Sequence, residues 1–280
     1  MTYVVGELGG DSDGGLRKNF VIEILAKKFS LPIEWREVPE EWAQDPVQAL
    51  RAPSDWMGIW VSLPISKTLL SQWPRLPTEA RESGVTDILL KEQGTWWFRC
   101  FLREALRQSI IHQAPQLDTH SLVYITGSGD IAGLCASVAI QLGFQRLILV
   151  VREGAEAREL SAKIQKKYFG LDLCLILDSQ LTLQPANGSL LINTYGASSG
   201  EPVLDDLPYL NFLKKEGLVV DIPYPDGLNQ LVDEAKHVGI RHIQGSEIIG
   251  LRDFLFFESM MKGQFSISRE EYFSEWKTRL

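Results

Sequence analysis

The sequence predicts an α/β protein built around a doubly wound parallel sheet, with a separate α/β region before it and helices after it. Three observations carry this. Apolar strand-like runs alternate with helical patterns through the middle of the chain. A glycine-rich turn, Gly127 to Ala132, lies between one such strand and one such helix. All eight tryptophans (35, 42, 56, 60, 73, 96, 97 and 276) fall outside residues 100–275, which marks the middle as a different kind of segment.

Taken in order, Tyr3 to Val5 reads as a strand and Gly9 to Gly15 as a loop, because glycines 9, 10, 14 and 15 disfavour regular structure. Phe20 to Phe29 has apolar residues at helical spacing, and Ile33 to Val38 and Trp56 to Leu63 read as strands. The chain then turns at Pro64 towards a helix, and Trp73 to Glu82 reads as another. Ile88 to Lys91 and Thr95 to Arg99 form a hairpin around Gln93-Gly94, with Trp96 and Trp97 as its packing residues. In the middle, Ser121–Thr126, Arg146–Val151, Leu171–Ile176, Ser189–Asn193 and Leu218–Ile222 are predicted strands. Ile131–Leu142, Ala155–Tyr168 and Leu228–Val238 are predicted helices, followed by Leu251–Met261 and Arg269–Lys277. Trp276 suggests that the tail packs back on the first region.

The chain has 280 residues, 45% hydrophobic and 23% charged, which is ordinary for a globular protein. Its net charge of -8, with no offsetting basic stretch, argues against a nucleic-acid or acidic-membrane partner. Cys100, Cys135 and Cys174 are too far apart for a zinc or disulfide pattern, and histidines 112, 120, 237 and 242 lack ligand spacing, so no metal is expected. The first residues lack a basic, then apolar leader, and no apolar run reaches the length of a membrane span, so the expected location is the cytoplasm. Asn187-Gly188-Ser189 fits a glycosylation sequon and reads here as a turn.

The string V-Y-I-T-G-S-G-D-I-A-G, Val123 to Gly133, is the clearest chemical signal. Gly127 can make the tight turn, Gly129 can admit a pyrophosphate, and small Ala132 can let helix and sheet approach. Gly127, Ser128, Gly129, Asp130, Ile131 and Ala132 are therefore candidate dinucleotide-binding residues. The next strand ends Val150-Val151-Arg152-Glu153. Arg152 favours NADP through a 2′-phosphate, while Glu153 and Glu156 oppose it and keep NAD as the alternative.

An ordered set of motifs then places the chain by resemblance. V-V-G near the start, V-S-L-P at 61–64, A-R-E-S-G-V-T-D at 80–87 and G-S-G-D-I-A-G with V-R-E come first. L-I-N-T at 191–194, D-I-P-Y-P-D-G-L-N-Q-L-V-D-E-A-K-H-V-G at 221–239 and G-S-E-I-I-G-L-R at 245–252 complete it. Together they resemble the shikimate dehydrogenase family along nearly the full length. The resemblance implies a substrate domain (1–105), a Rossmann NAD(P) domain (106–245) and C-terminal helices (246–280) returning to the first. It also implies a role for Asn193 among the cofactor-binding residues.

The family's chemistry is less well matched. Of its two serines for the substrate carboxylate, Ser12 matches the first and Gly14 stands at the second. Ser62 keeps a family hydroxyl, but Trp60 replaces an asparagine. The catalytic lysine position is Ser66, with Lys67 one residue late, and the catalytic aspartate position falls near Leu102. Asp87 aligns with a family asparagine, Arg252 with a late substrate glutamine, and Tyr224 is kept. Ser12, Ser62, Asp87, Tyr224 and Arg252 are thus candidate substrate residues, and Lys67 is a candidate proton carrier or a solvated lysine. The expected ligand is a small molecule such as a hydroxy-acid. Two functions follow: an NADP-linked oxidoreductase with a changed substrate, or a non-catalytic binder of nucleotide or metabolite. A different reaction on the same scaffold is a weaker third.

Overall fold

The computed structural model describes residues 2–9, 14–51, 55–73, 75–152, 154–196, 209–223 and 230–278. Ser12, Tyr224 and Glu153 lie outside the described residues. The chain divides into two compact units, residues 1–102 with 250–280, and residues 103–249.

The second unit holds a six-stranded sheet: β6 (Leu122–Thr126), β7 (Arg146–Val151), β8 (Asp172–Leu177), β9 (Gly188–Asn193), β10 (Leu213–Asp221) and β11 (Arg241–Ile243). Their order is β11-β10-β9-β6-β7-β8, every pair parallel. Strand order reverses between β6 and β9, the place where a doubly wound sheet opens a ligand crevice. β6 and β9 are buried along their whole length, which is why they read as unbroken apolar runs. Helices α7 (Asp130–Gln141), α8 (Gly154–Lys167) and α9 (Gln230–Val238) accompany this sheet. This is the Rossmann arrangement predicted above. β11, only three residues long, has too little pattern to be read from the sequence.

The first unit has a five-stranded sheet of β1 (Tyr3–Leu8), β2 (Ile33–Trp35), β3 (Trp56–Val61), β4 (Ile88–Glu92) and β5 (Thr95–Arg99), ordered β2-β1-β3-β4-β5. β1 pairs in parallel with β2 and β3, while β4 runs antiparallel to both β3 and β5. Trp96 is buried and Trp97 is exposed, as alternate residues of a half-covered hairpin should be. Gly58 in β3 admits a ring: a Cβ there would lie 2.2 Å from Phe256 Cζ.

Several boundaries differ from expectation. α1 (Gly14–Asn19) begins inside the glycine loop, because first-turn residues do not yet make intrahelical N–H bonds and glycine is tolerated there. It continues into a π-helical stretch, Phe20–Lys28, where Phe29 N–H donates to Ile24 O at 2.9 Å. α4 spans Leu63–Gln72, and Trp73, preceding Pro74, is already extended. The next helix, α5 (Thr78–Ser83), starts only after Pro77. Short helices α2 (Glu40–Gln44) and α3 (Pro46–Arg51) and the longer α6 (Phe101–Gln113) were not anticipated. α10 (Gly245–Met261) and α11 (Arg269–Lys277) complete the chain. Phe20 packs edge-on against Tyr272 and Trp276, with ring centroids 5.1 Å apart in both pairs. No helix is long and apolar enough to cross a membrane among the described residues.

Candidate functional site

In the Rossmann unit, β6 ends at Thr126 and Gly127 turns with φ +105°. Its N–H donates to Val150 O at 2.9 Å, and a Cβ there would stand 2.3 Å from Thr194 Oγ1. Only glycine satisfies both the left-handed backbone and that approach. Gly129 is extended and exposed, and nothing lies within 4 Å of an added Cβ. It precedes α7, and the first-turn N–H groups of a helix carry the positive end of its dipole. Ser128 and Asp130 are half-buried beside it, while Ile131 and Ala132 are buried. Close packing onto α8 falls to Gly133 as well, whose Cβ would meet Leu160 Cδ1 at 3.1 Å.

Arg152 follows β7. Its N–H donates to Tyr195 Oη at 3.1 Å, its guanidinium lies 5.2 Å from the Tyr195 ring centroid, and Nε is 4.0 Å from Asp178 Oδ2. Asn193 is wholly buried. Its Nδ2 donates to Asp221 Oδ1 at 2.6 Å and to Tyr195 O at 3.3 Å, while Oδ1 accepts from Thr126 Oγ1 and Tyr195 N. That uses the four bonds a carboxamide can make. Asn193 therefore ties the ends of β6, β9 and β10 together rather than presenting its side chain outward.

In the first unit, charged groups gather at the carboxyl ends of β1 and β3. Glu7 pairs with Arg17 Nη1 at 2.9 Å, and both side chains are buried. Asp253 on α10 receives three donors: Trp60 Nε1 at 2.9 Å, Arg252 Nε at 2.8 Å and Arg17 Nε at 3.3 Å. The Arg17 guanidinium also lies 5.3 Å from the Trp60 ring centroid. Trp60 is stacked on Trp35, with Phe256 and Phe257 edge-on. Burial pushes the Asp253 carboxyl up, but Arg252, Arg17 and the Trp60 N–H outweigh it and hold it below the ordinary range.

Asp87 caps the start of α6, accepting from Phe101 N at 2.9 Å and Leu102 N at 2.6 Å. Burial pushes its carboxyl up to about 6, against the pull of Arg252 and these two N–H groups, with Asp253 adding to the rise. The structure thus brings Asp87 and Arg252 into one electrostatic cluster. Ser62 stands just before α4, and its N–H donates to Leu8 O at 3.1 Å. Its Oγ is buried with no hydrogen-bond partner among the described residues. Ser66 is buried, and its Oγ accepts from Thr86 N at 2.9 Å. Lys67, one residue on, is exposed. Leu102 is buried and offers only its backbone N–H to Asp87.

The sequence reading missed Glu7, Arg17 and Asp253. A carboxylate inside the otherwise apolar V-V-G-E-L strand was a signal for Glu7. Arg17 and Asp253 look like ordinary helix charges, and no spacing connects them.

A Rossmann unit together with a second α/β unit that has a polar cluster at its strand ends defines a two-unit α/β class of fold. Comparison with known proteins narrows this class. The shikimate dehydrogenase (NADP(+)) of Geobacter sulfurreducens is 24% identical over 245 residues, 86% of this chain and 84% of that protein. Quinate dehydrogenase from Corynebacterium glutamicum, solved with NAD, superposes with a TM-score of 0.79 at 15% identity, covering 100% of this chain and 99% of that one. Shikimate 5-dehydrogenase from Listeria monocytogenes, solved with shikimate and NAD, gives a TM-score of 0.76 at 20% identity, covering 98% and 96%. No protein-family model matches the chain. The chain resembles the shikimate dehydrogenase family in sequence and has the fold of its solved members.

Proposed function

We propose that this protein is a shikimate dehydrogenase-like oxidoreductase that binds NADP, with NAD as a weaker alternative, and acts on a changed small-molecule substrate. The observation that carries the reading is the turn at Gly127: its left-handed backbone is fixed against Thr194, and the open Gly129 face leads to the N-terminus of α7. NADP, when bound, supplies hydride donation and acceptance. The chain's own residues do the rest. The α7 N–H groups hold phosphate, and Arg152, braced on Tyr195, offers a guanidinium to a 2′-phosphate. Ser62 and Asp87 offer a hydroxyl and a titratable carboxyl at the β3 end of the first unit. A carboxyl that titrates near neutrality suits proton transfer better than an ordinary one. Names carried by the relatives support the cofactor, and Trp60 supports the changed substrate.

A second reading, a non-catalytic nucleotide- or metabolite-binding descendant, is favoured by two positions. Ser66 and Leu102 occupy the places of the family's proton-transferring pair and are both engaged in the fold. Calorimetric titration with NADP and NAD, followed by NADPH absorbance with a panel of polyols and hydroxy-acids, separates the two. The oxidoreductase reading expects NADP binding, turnover of at least one compound, and an Arg152→Ala variant that loses roughly tenfold in NADP affinity but little for NAD. Binding without turnover across the panel favours the second reading. Lys67→Ala decides whether that lysine carries the proton: unchanged kcat removes it from the mechanism.

A further inference from the structure

The cluster in the first unit is built like a carboxylate receptor, and its carboxylate belongs to the chain itself. Two guanidiniums and an indole N–H converge on Asp253, a geometry suited to binding an acid from solution. Arg17 Nη1 is further matched by Glu7. Across this buried group the two positive charges of Arg17 and Arg252 are balanced by the two negative charges of Glu7 and Asp253. Asp87 beside them, its carboxyl raised to about 6, adds further negative charge above that pH and leaves no surplus cation in the group. Arg17, Asp253, Trp60, Arg252 and Asp87 are all less than a tenth exposed.

A second carboxylate entering this region would shed its hydration and meet cations already neutralised. A neutral hydroxyl or carbonyl compound would lose far less hydration and could still take hydrogen bonds. Ser62 Oγ, buried and without a partner among the described residues at the end of the same strand that carries Trp60, offers one such bond.

We propose that Asp253 is an internal carboxylate ligand that withdraws Arg17 and Arg252 from substrate recognition, so that the small molecule accepted by the first unit carries no carboxylate. This rests on the reading that the first unit takes the substrate, and it replaces the hydroxy-acid expected from the sequence with a neutral polyol or ketone.

The test compares the parent chain with Asp253→Ala and the gentler Asp253→Asn by thermal shift, using formate and acetate against chloride at equal ionic strength. The expected result is a saturable, carboxylate-specific rise in melting temperature for a variant and none for the parent, with formate bound roughly tenfold more tightly by the variant. Shikimate and its methyl ester, titrated against the NADP-saturated parent chain, read the substrate class directly: the inference expects the ester to bind more tightly. Saturable binding of shikimate stronger than that of its ester overturns the proposal, as does a folded variant that gains nothing from formate. If Asp253→Ala does not fold, Asp253→Asn and the parent-chain titrations still decide. NADP binding is measured separately, and its absence overturns the oxidoreductase reading without touching the receptor, which the formate arm reports.

Discussion

The indole N–H of Trp60 donates to the carboxylate of Asp253 at 2.9 Å, joining β3 to α10 through two side chains that are both buried. Trp60 fills space in the core and satisfies an internal charge. Truncation should therefore be felt first as lost stability. Trp60→Phe keeps most of the ring packing but leaves Asp253 one donor short, at an expected cost of about 1–3 kcal/mol. Trp60→Ala also leaves a cavity beside Phe256 and Phe257, at about 3–5 kcal/mol. Urea unfolding of the two variants checks the order. Equal costs would mean that the hydrogen bond contributes nothing separable from the ring.

Gly127 and Gly129 make a matched pair because the same substitution meets different surroundings. Gly127→Ala forces a side chain onto a φ of +105° and into Thr194, and should destabilise the fold by roughly 2–4 kcal/mol. Gly129→Ala meets no protein atom, so its stability should stay within about 0.5 kcal/mol of the parent. Under the proposed nucleotide-binding reading its effect falls on nucleotide affinity, since the methyl group would occupy the open face before α7. Denaturation paired with NADP titration reads both. Normal nucleotide binding by a folded Gly129→Ala protein would remove this turn from the site.

Asp87 gives the pH dependence a sign. Its carboxyl is raised from 3.8 to about 6, so the folded chain holds the proton more tightly than the unfolded one. Its contribution to stability is complete below about pH 4 and is lost as pH rises through 6. Asp253 acts in the opposite sense: held low, its contribution is present above the ordinary carboxylate range and fades only in stronger acid. Asp87→Asn should therefore remove a decline of up to roughly 3 kcal/mol between pH 4 and 6, an upper bound given the burial of the group. The readout is the difference between parent and variant denaturation midpoints from pH 4 to 8. Parallel curves would show that Asp87 titrates normally.

The Rossmann sheet was legible because its central strands β6 and β9 are buried along their whole length and its turn needs particular residues at fixed offsets. Gly127, with its positive φ, could be read from one letter and its neighbours. α6 was missed although F-L-R-E-A-L-R-Q-S-I-I-H-Q has helical spacing, and its start is fixed by Asp87, fourteen residues before Phe101. The polar cluster was only half visible. Asp87 and Arg252 stood out as departures from a family pattern, whereas Arg17 and Asp253 are 236 positions apart and nothing local ties them. Ser66 and Lys67 show the same limit at short range: which of two adjacent side chains turns inward depends on the helix phase set by the Pro64 turn.

The interlocked charges around Asp253 also constrain how this protein can change. Replacing Arg17 or Asp253 alone strands a buried ion that the present arrangement compensates, at a cost of about 3–5 kcal/mol, a large share of the stability of an ordinary domain. A lineage carrying this cluster cannot open it to an outside acid by single neutral steps. Paired replacements, or a prior gain in stability elsewhere, must come first. The cluster is an evolutionary ratchet: open positions such as Gly129 can change one at a time, but the charged residues around Asp253 only in concert.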